Sequence, residues 1–282
     1  MTEVTVNADG RLSDADVLTA KHAIETDGFV VLRNAVDLDH IAKLREKMFA
    51  DAEYLLNRTD QPFNWTRGNL QQKPPVIAEY LFRDVLVNEA VIQVTHSILG
   101  HGLKSAFYEG NTAVKSESRQ PVHADMGQLW PNLTVAHPAY ALVVNVPTVD
   151  MSAENGSTEI WPGTHLDTSV AIQDGEIEVS AERLAERRAT HPPLQPTVAA
   201  GSILIRDMRM WHAGMPNRTE TPRPMIAMIH YVGWFPTGQV LMPAGTEDIF
   251  THPTLRTEAK FVDGEIDYLN SVGGYKAEEA TA

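Results

Sequence analysis

In the stretch PVHADMGQLWP, residues 121–131, His123 and Asp125 stand one residue apart. On an extended segment, residues i and i+2 point to the same side, so this imidazole and carboxylate could share a hydrogen bond or ligate one ion. The choice turns on a third ligand. GSILIRDMRMWHAGMPNR, residues 201–218, offers His212, 87 residues beyond Asp125 and just past the strand pattern SILIRD. Two histidines and a carboxylate take one face of an octahedron and leave three positions open, which suits an Fe(II) that must hold a chelating co-substrate and O2 together. Such a site commonly uses 2-oxoglutarate, whose far carboxylate needs a cation. Arg223 lies 11 residues past His212, at the head of the apolar run PMIAMIHY. Its guanidinium could meet a carboxylate with two parallel hydrogen bonds, which lysine cannot reproduce. His-x-Asp alone recurs by chance; with His212 and Arg223 in register, metal binding outweighs the plain hydrogen bond.

These residues need elements to carry them. From about residue 105, short apolar runs alternate with turn signals, at 105–114, 120–125, 139–146, 157–161, 197–206 and 223–233. That spacing predicts an antiparallel sandwich or barrel. Ahead of it, helical periodicity covers 13–27, 37–56 and 82–99, with the buried strand FVVLRNAV between the first two and Gly100 closing the last. Residues 57–75 read as a polar loop, and 178–191 as a helix inserted between strands. No repeat or low-complexity linker interrupts the chain. The expectation is one domain over 1–282: a helical layer at about 13–100, a β core at about 105–235 and an extension at 236–282.

Bulk composition narrows the function classes. Of the 282 residues, 43% are hydrophobic and 21% charged, ordinary values for a globular protein. Cysteine is absent, which removes thiolate metal sites, disulfides and cysteine nucleophiles. No apolar run nears the roughly 18–20 residues of a membrane span, and MTEVTVNADGRLSD lacks the marks of a signal peptide. A cytoplasmic protein is the simplest reading. The net charge of −14 opposes nucleic acid and anionic membranes and would attract a cationic ligand, although solubility alone accounts for it.

QPVHAD, ENGSTEIWPGTH (154–165) and GSILIRDMRMWHAGMPNRTETPRP, with the opening DGFVVLRNAV, together resemble the phytanoyl-CoA dioxygenase family of Fe(II)/2-oxoglutarate oxygenases over most of 15–235. The resemblance implies a mainly β protein with a double-stranded β-helix (jelly-roll) core, its N-terminal helices buttressing one sheet. It implies His123, Asp125 and His212 as iron ligands and Arg223 on the far carboxylate of 2-oxoglutarate. Asn111 matches a family position that contacts the co-substrate, with Thr158 and Gln72 as further candidates. In related halogenases a small residue replaces the carboxylate ligand; Asp125 disfavours that chemistry. Within the family, NLQQKPPV, HADMGQLWP, ENGSTEIWPGTH and HYVGWF are similar to the group of kanamycin B dioxygenase and the orthosomycin (hygromycin B type) oxygenases. That likeness implies a cationic, polyhydroxylated, aminoglycoside-like substrate, oxidised to an alcohol, a ketone or a closed orthoester ring.

A polyamino sugar needs flat apolar surfaces and carboxylates. Trp130, Trp211 and Tyr108 could pack on sugar faces, Glu109 and Glu159 could pair with ammonium groups, and Gln128 could face the substrate. Each has a bland alternative, because aromatics near strands are commonly core and glutamates are commonly solvated. His165 and Asn217 read as supports of turns, and Gly156 and Gly163 as turn formers. The methionines between 208 and 228 read as core filler. The acidic tail YKAEEATA reads as disordered. Another small natural product as substrate, a non-catalytic jelly-roll binder and a cupin isomerase stand as alternatives. The last would call for more histidines and have no use for Arg223.

Overall fold

A computed structural model describes residues 1–175 and 177–275; the end of the tail read as disordered, past Tyr275, lies outside the described residues. The chain opens with β1 (Glu3–Thr5), α1 (Asp14–Asp27), β2 (Phe29–Arg33), α2 (Leu38–Leu56), β3 (Phe63–Asn64) and β4 (Thr66–Gln71). α3 (Arg83–Leu86), α4 (Glu89–Leu99), β5 (Lys104–Ala113), β6 (Ala141–Pro147), β7 (Glu159–Ile160) and α5 (Ala181–Thr190) follow. It ends with β8 (Ile203–Asp207), β9 (His212–Ala213), β10 (Arg223–Tyr231), β11 (Val240–Pro243), β12 (Arg256–Thr257) and β13 (Ala259–Val262).

Local chemistry accounts for the helix limits. Ser13 and Asp37 accept the amides of Asp16 and Asp39 at the starts of α1 and α2, and Gly28 ends α1 at φ +89°. The helix read across 82–99 is two, because Asn88 takes an extended conformation and caps α4 through the amide of Val91.

Among the described residues, nine strands form the large sheet, in the order β1-β2-β8-β6-β10-β5-β4-β3, with β12 on the free part of β5. A smaller sheet pairs β7 with β9, and residues 120–125 join it through a single rung at His123 rather than as a strand. This is a mainly β fold with a jelly-roll core. The helices cover one face of the large sheet: Ile24, Ile41, Leu44, Met48, Val91 and Val94 share one buried cluster with Val30, Leu32, Val144, Ile203, Ile205 and Ile226. The other face looks into a cavity. Alternation along β10 sends Met225, Ala227, Ile229 and Tyr231 to the cavity and Ile226, Met228 and His230 toward the helices.

Residues 57–75 correct the sequence expectation, since they contain β3 and β4, which extend the sheet past β5. The inward side chains of β4 are Asn69 and Gln71, which line the cavity. A strand whose inner face is polar carries no hydrophobic alternation to read.

Candidate active site

The cavity, about 380 Å³, lies between the two sheets. One row across the large sheet runs Glu109, Ala227, Asn145, and the next runs Asn111, Met225. Against these rows stand His123, Asp125 and His212. The chain leaves β8 at Asp207, turns through 208–211 and enters β9 at His212, which carries that ring from the large sheet to the small one. The amides of His123 and His212 each donate to the other's carbonyl.

Among the described residues, His123, Asp125 and His212 form a group that could hold a metal ion, one ligand atom from each lying within 4.8 Å of the others. Asp125 Oδ1 is 3.3 Å from His212 Nε2 and 3.9 Å from His123 Nε2. Each ring is oriented from behind: His123 Nδ1 lies 2.9 Å from the carbonyl of Pro121, and His212 Nδ1 3.0 Å from that of Met210. A proton on each Nδ1 leaves the Nε2 lone pair for a cation. Burial and the neighbouring imidazole of His212 push His123 down to about 3, so its ring is neutral. Burial alone would raise the Asp125 carboxyl, but the adjoining Arg206 guanidinium opposes it most strongly, and the group is held well below the usual carboxylate range. A neutral His123 and an ionised Asp125 are in the states in which they can ligate Fe(II).

Arg223 is 1% exposed. Its Nη2 donates to the carbonyl of Gly156 at 2.8 Å, while Nε and Nη1 have no hydrogen-bond partner among the described residues. Burial pulls its pKa down to about 10, so it stays cationic at neutral pH. A buried guanidinium with two idle donors and no counter-ion is costly, and a carboxylate would satisfy both. Gly156 is a glycine for a reason: at φ +79°, a Cβ there would come within 2.6 Å of the Met215 carbonyl. Asn217 secures the turn leading to Arg223 by donating to the carbonyls of Ala113 and Thr221.

Of the other residues singled out from the sequence, Asn111, Thr158 and Glu109 line the cavity. Asn111 donates to Asn69 Oδ1, and Glu109 sits 3.1 Å from Lys73 Nζ. Burial raises the Glu109 carboxyl and Lys73 only partly offsets it.

The remainder stand outside that lining. Gln72 is buried with both ends engaged, donating to the Met48 carbonyl and accepting from Thr112 Oγ1. Gln128 donates to the carbonyls of His165 and Asp167, so it ties loops together. Trp211 is packed beside Trp161 in a separate buried cluster with Val122 and Ala213. Glu159 accepts from Arg119 and from Trp161 Nε1. Trp130 is 50% exposed against His137, and Tyr108 alternates to the face opposite Phe107 and Glu109 and is buried.

Sequence reasoning overlooked Trp65, whose ring lies 4.1 Å from that of His123, and the cavity residues Asn69, Asn145 and Arg206. For Arg206 a signal existed: a guanidinium inside the otherwise apolar run of SILIRD has to face something.

Comparison with known proteins bears on the family and the fold. Residues 24–225 match the phytanoyl-CoA dioxygenase (PhyH) family. The iron/alpha-ketoglutarate-dependent dioxygenase ausU of Aspergillus calidoustus is 23% identical over 236 residues, covering 77% of this chain and 71% of that one. Among solved structures, EctD from S. alaskensis with 2-oxoglutarate and 5-hydroxyectoine superposes with a TM-score of 0.57 at 17% identity, covering 80% of this chain and 78% of that one. AviO1 from Streptomyces viridochromogenes gives 0.55 at 22% identity, over 80% of this chain and 99% of its own. The non-heme alpha-ketoglutarate-dependent carbocyclase SnoK from nogalamycin biosynthesis gives 0.53 at 17%, over 78% and 84%. The chain therefore belongs to the phytanoyl-CoA dioxygenase family and is an iron- and 2-oxoglutarate-dependent dioxygenase.

Proposed function

We propose that this dioxygenase oxidises a cationic, polyhydroxylated, aminoglycoside-like small molecule, with iron on His123, Asp125 and His212 and the far carboxylate of 2-oxoglutarate on Arg223. With these bound, the pair supplies the oxidising power of O2 for breaking a substrate C–H bond, releasing succinate and CO2. The protein's part is placement. The Nδ1–carbonyl bonds orient both imidazoles, Asp125 supplies the negative charge, and Arg223, buried and tied to the Gly156 carbonyl, would take the far carboxylate of 2-oxoglutarate. The substrate carbon presented to the site then decides between hydroxylation, ketone formation and orthoester ring closure. We also read the chain as one domain, because Phe250, Leu255 and Tyr268 of the C-terminal extension join the same buried cluster as the N-terminal helices.

One observation carries the substrate reading. The cavity wall carries six neutral amides, Asn64, Asn69, Gln71, Asn111, Gln120 and Asn145, and two carboxylates, Asp125, which is paired with Arg206, and Glu109. Amides donate and accept, which suits a ligand covered in hydroxyls, and Glu109 offers a partner for an ammonium. A second reading has its own support: Phe107, Met126, Met208, Ile229 and Tyr231 give the wall an apolar part, which suits a less polar natural product. A panel of aminoglycosides, scored by succinate release and product mass, tests the first reading. Tight coupling to a neutral lipid or an acyl-CoA instead would overturn it.

A further inference from the structure

Arg206 occupies the inner part of β8, all five residues of which are buried. Its backbone is held on both sides, opposite Phe29 of β2 and Val143 of β6, so its side chain enters the cavity from a fixed point. The side chain is 8% exposed, and Nη2 donates to Asp125 Oδ2 at 2.5 Å. The two oxygens of Asp125 are thereby divided: Oδ1 is the one beside the imidazole Nε2 atoms, and Oδ2 belongs to Arg206.

From this division we infer that Arg206 is a positioning residue that restricts Asp125 to single-oxygen ligation. The inference rests on His123, Asp125 and His212 being the iron ligands. A free carboxylate can ligate through one oxygen or two. Two would take one of the three positions that 2-oxoglutarate and O2 share. Turning Oδ2 toward the metal breaks its bond to Arg206 and strands a buried guanidinium, an expensive change in this setting. The strand thus holds the carboxylate in the rotation that keeps the third position open. A purely structural ion pair would stabilise the fold without altering how the metal is held.

Co(II) binding to the purified full chain, followed by calorimetry and by its visible d–d spectrum, separates these roles. The comparison uses wild type, R206M, R206K and H212A. Wild type should bind one Co(II) and H212A should lose it. R206M should lose some Tm, since the Asp125 carboxylate is left without its partner, and should bind Co(II) about 10-fold more weakly or worse while folded, as expected for loss of a group orienting a ligand. Its d–d bands should shift as the carboxylate re-coordinates, and R206K, which can still donate to Oδ2, should restore both affinity and spectrum. R206M with wild-type affinity and spectrum would overturn the inference while leaving the ligand set standing. H212A binding Co(II) as wild type does would overturn the ligand set itself. Should R206M fail to fold, R206Q carries the same comparison.

Discussion

His123 and His212 form one rung of the small sheet: the amide of His123 donates to the His212 carbonyl at 3.0 Å, and the amide of His212 returns the bond at 2.9 Å. The rung sets the two rings 4.4 Å apart. Backbone hydrogen bonds made at His212 do not depend on its side chain, so His212→Ala should fold normally. It should lose substrate-coupled succinate formation because one metal ligand is gone. Circular dichroism and a succinate assay on the same preparation check both halves. Turnover at the native rate would remove His212 from the metal site.

Arg223 gives a stability test that needs no substrate. Its idle Nε and Nη1 leave a charge buried without a counter-ion among the described residues, so Arg223→Met should be as stable as wild type or more so. Saturating 2-oxoglutarate, at about 100 times its Kd, should stabilise the wild type by about 2.7 kcal/mol. In Arg223→Met that gain should vanish, and Arg223→Lys should keep the charge but lose most of the affinity because it lacks the fork. Thermal unfolding with and without 2-oxoglutarate under anaerobic Fe(II) reads all three. An undiminished ligand shift in Arg223→Met would place the carboxylate elsewhere.

The parts of this site that were legible in the sequence are those fixed by spacing along the chain. His123 and Asp125 share an extended segment, and Arg223 begins the strand after His212, so their registers could be read directly. What could not be read depends on which face a side chain takes. Trp211 neighbours a cavity residue yet alternates into the core beside Trp161, and Glu159 turns to Arg119. The β3–β4 edge was invisible because strands lining a polar cavity lose the apolar period that announces them. Arg206 was overlooked for a related reason, since its partner Asp125 lies 81 residues away and only the closed sheet brings them together.

Trp65 should report metal binding. It takes a left-handed backbone conformation, φ 62°, and its ring rests 4.1 Å from that of His123. Paramagnetic Co(II) on His123 should therefore quench tryptophan fluorescence. The substitution W65F should remove the larger share of that quenching while calorimetric affinity persists. Quenching of equal depth in W65F would mean that another tryptophan, such as Trp211, is the reporter.

His230 should make the protein acid-sensitive. Facing the helical layer, its Nδ1 lies 2.9 Å from Thr95 Oγ1, and burial pushes its pKa from 6.5 down to about 3. The unfolded chain binds this proton first as pH falls. Stability is therefore full above pH 6.5 and falls as pH drops toward 3, by about 1.4 kcal/mol per pH unit from this group. Urea midpoints between pH 7 and pH 5 should fall more steeply for wild type than for His230→Asn. Equal slopes would show that His230 does not titrate on unfolding.

Glu109 and Lys73 allow the cationic-substrate reading to be tested by two substitutions of opposite sign. Glu109 Oε1 lies 3.1 Å from Lys73 Nζ, so an incoming ammonium must compete with a lysine already in place. Removing the carboxylate, Glu109→Gln, should raise KM for an aminoglycoside by about 10-fold or more, since a hydrogen bond to a charged group contributes about 1.5–3 kcal/mol. Removing the competitor, Lys73→Met, should lower KM by exposing Glu109 to the substrate alone. Neither change touches the metal ligands or Arg223, so 2-oxoglutarate affinity should stay constant and kcat should move little. Steady-state kinetics on the two variants, with 2-oxoglutarate titrated separately, decides it. KM shifts of the same sign would mean that the pair acts as a structural tie, and Glu109 would then lose its role in recognition.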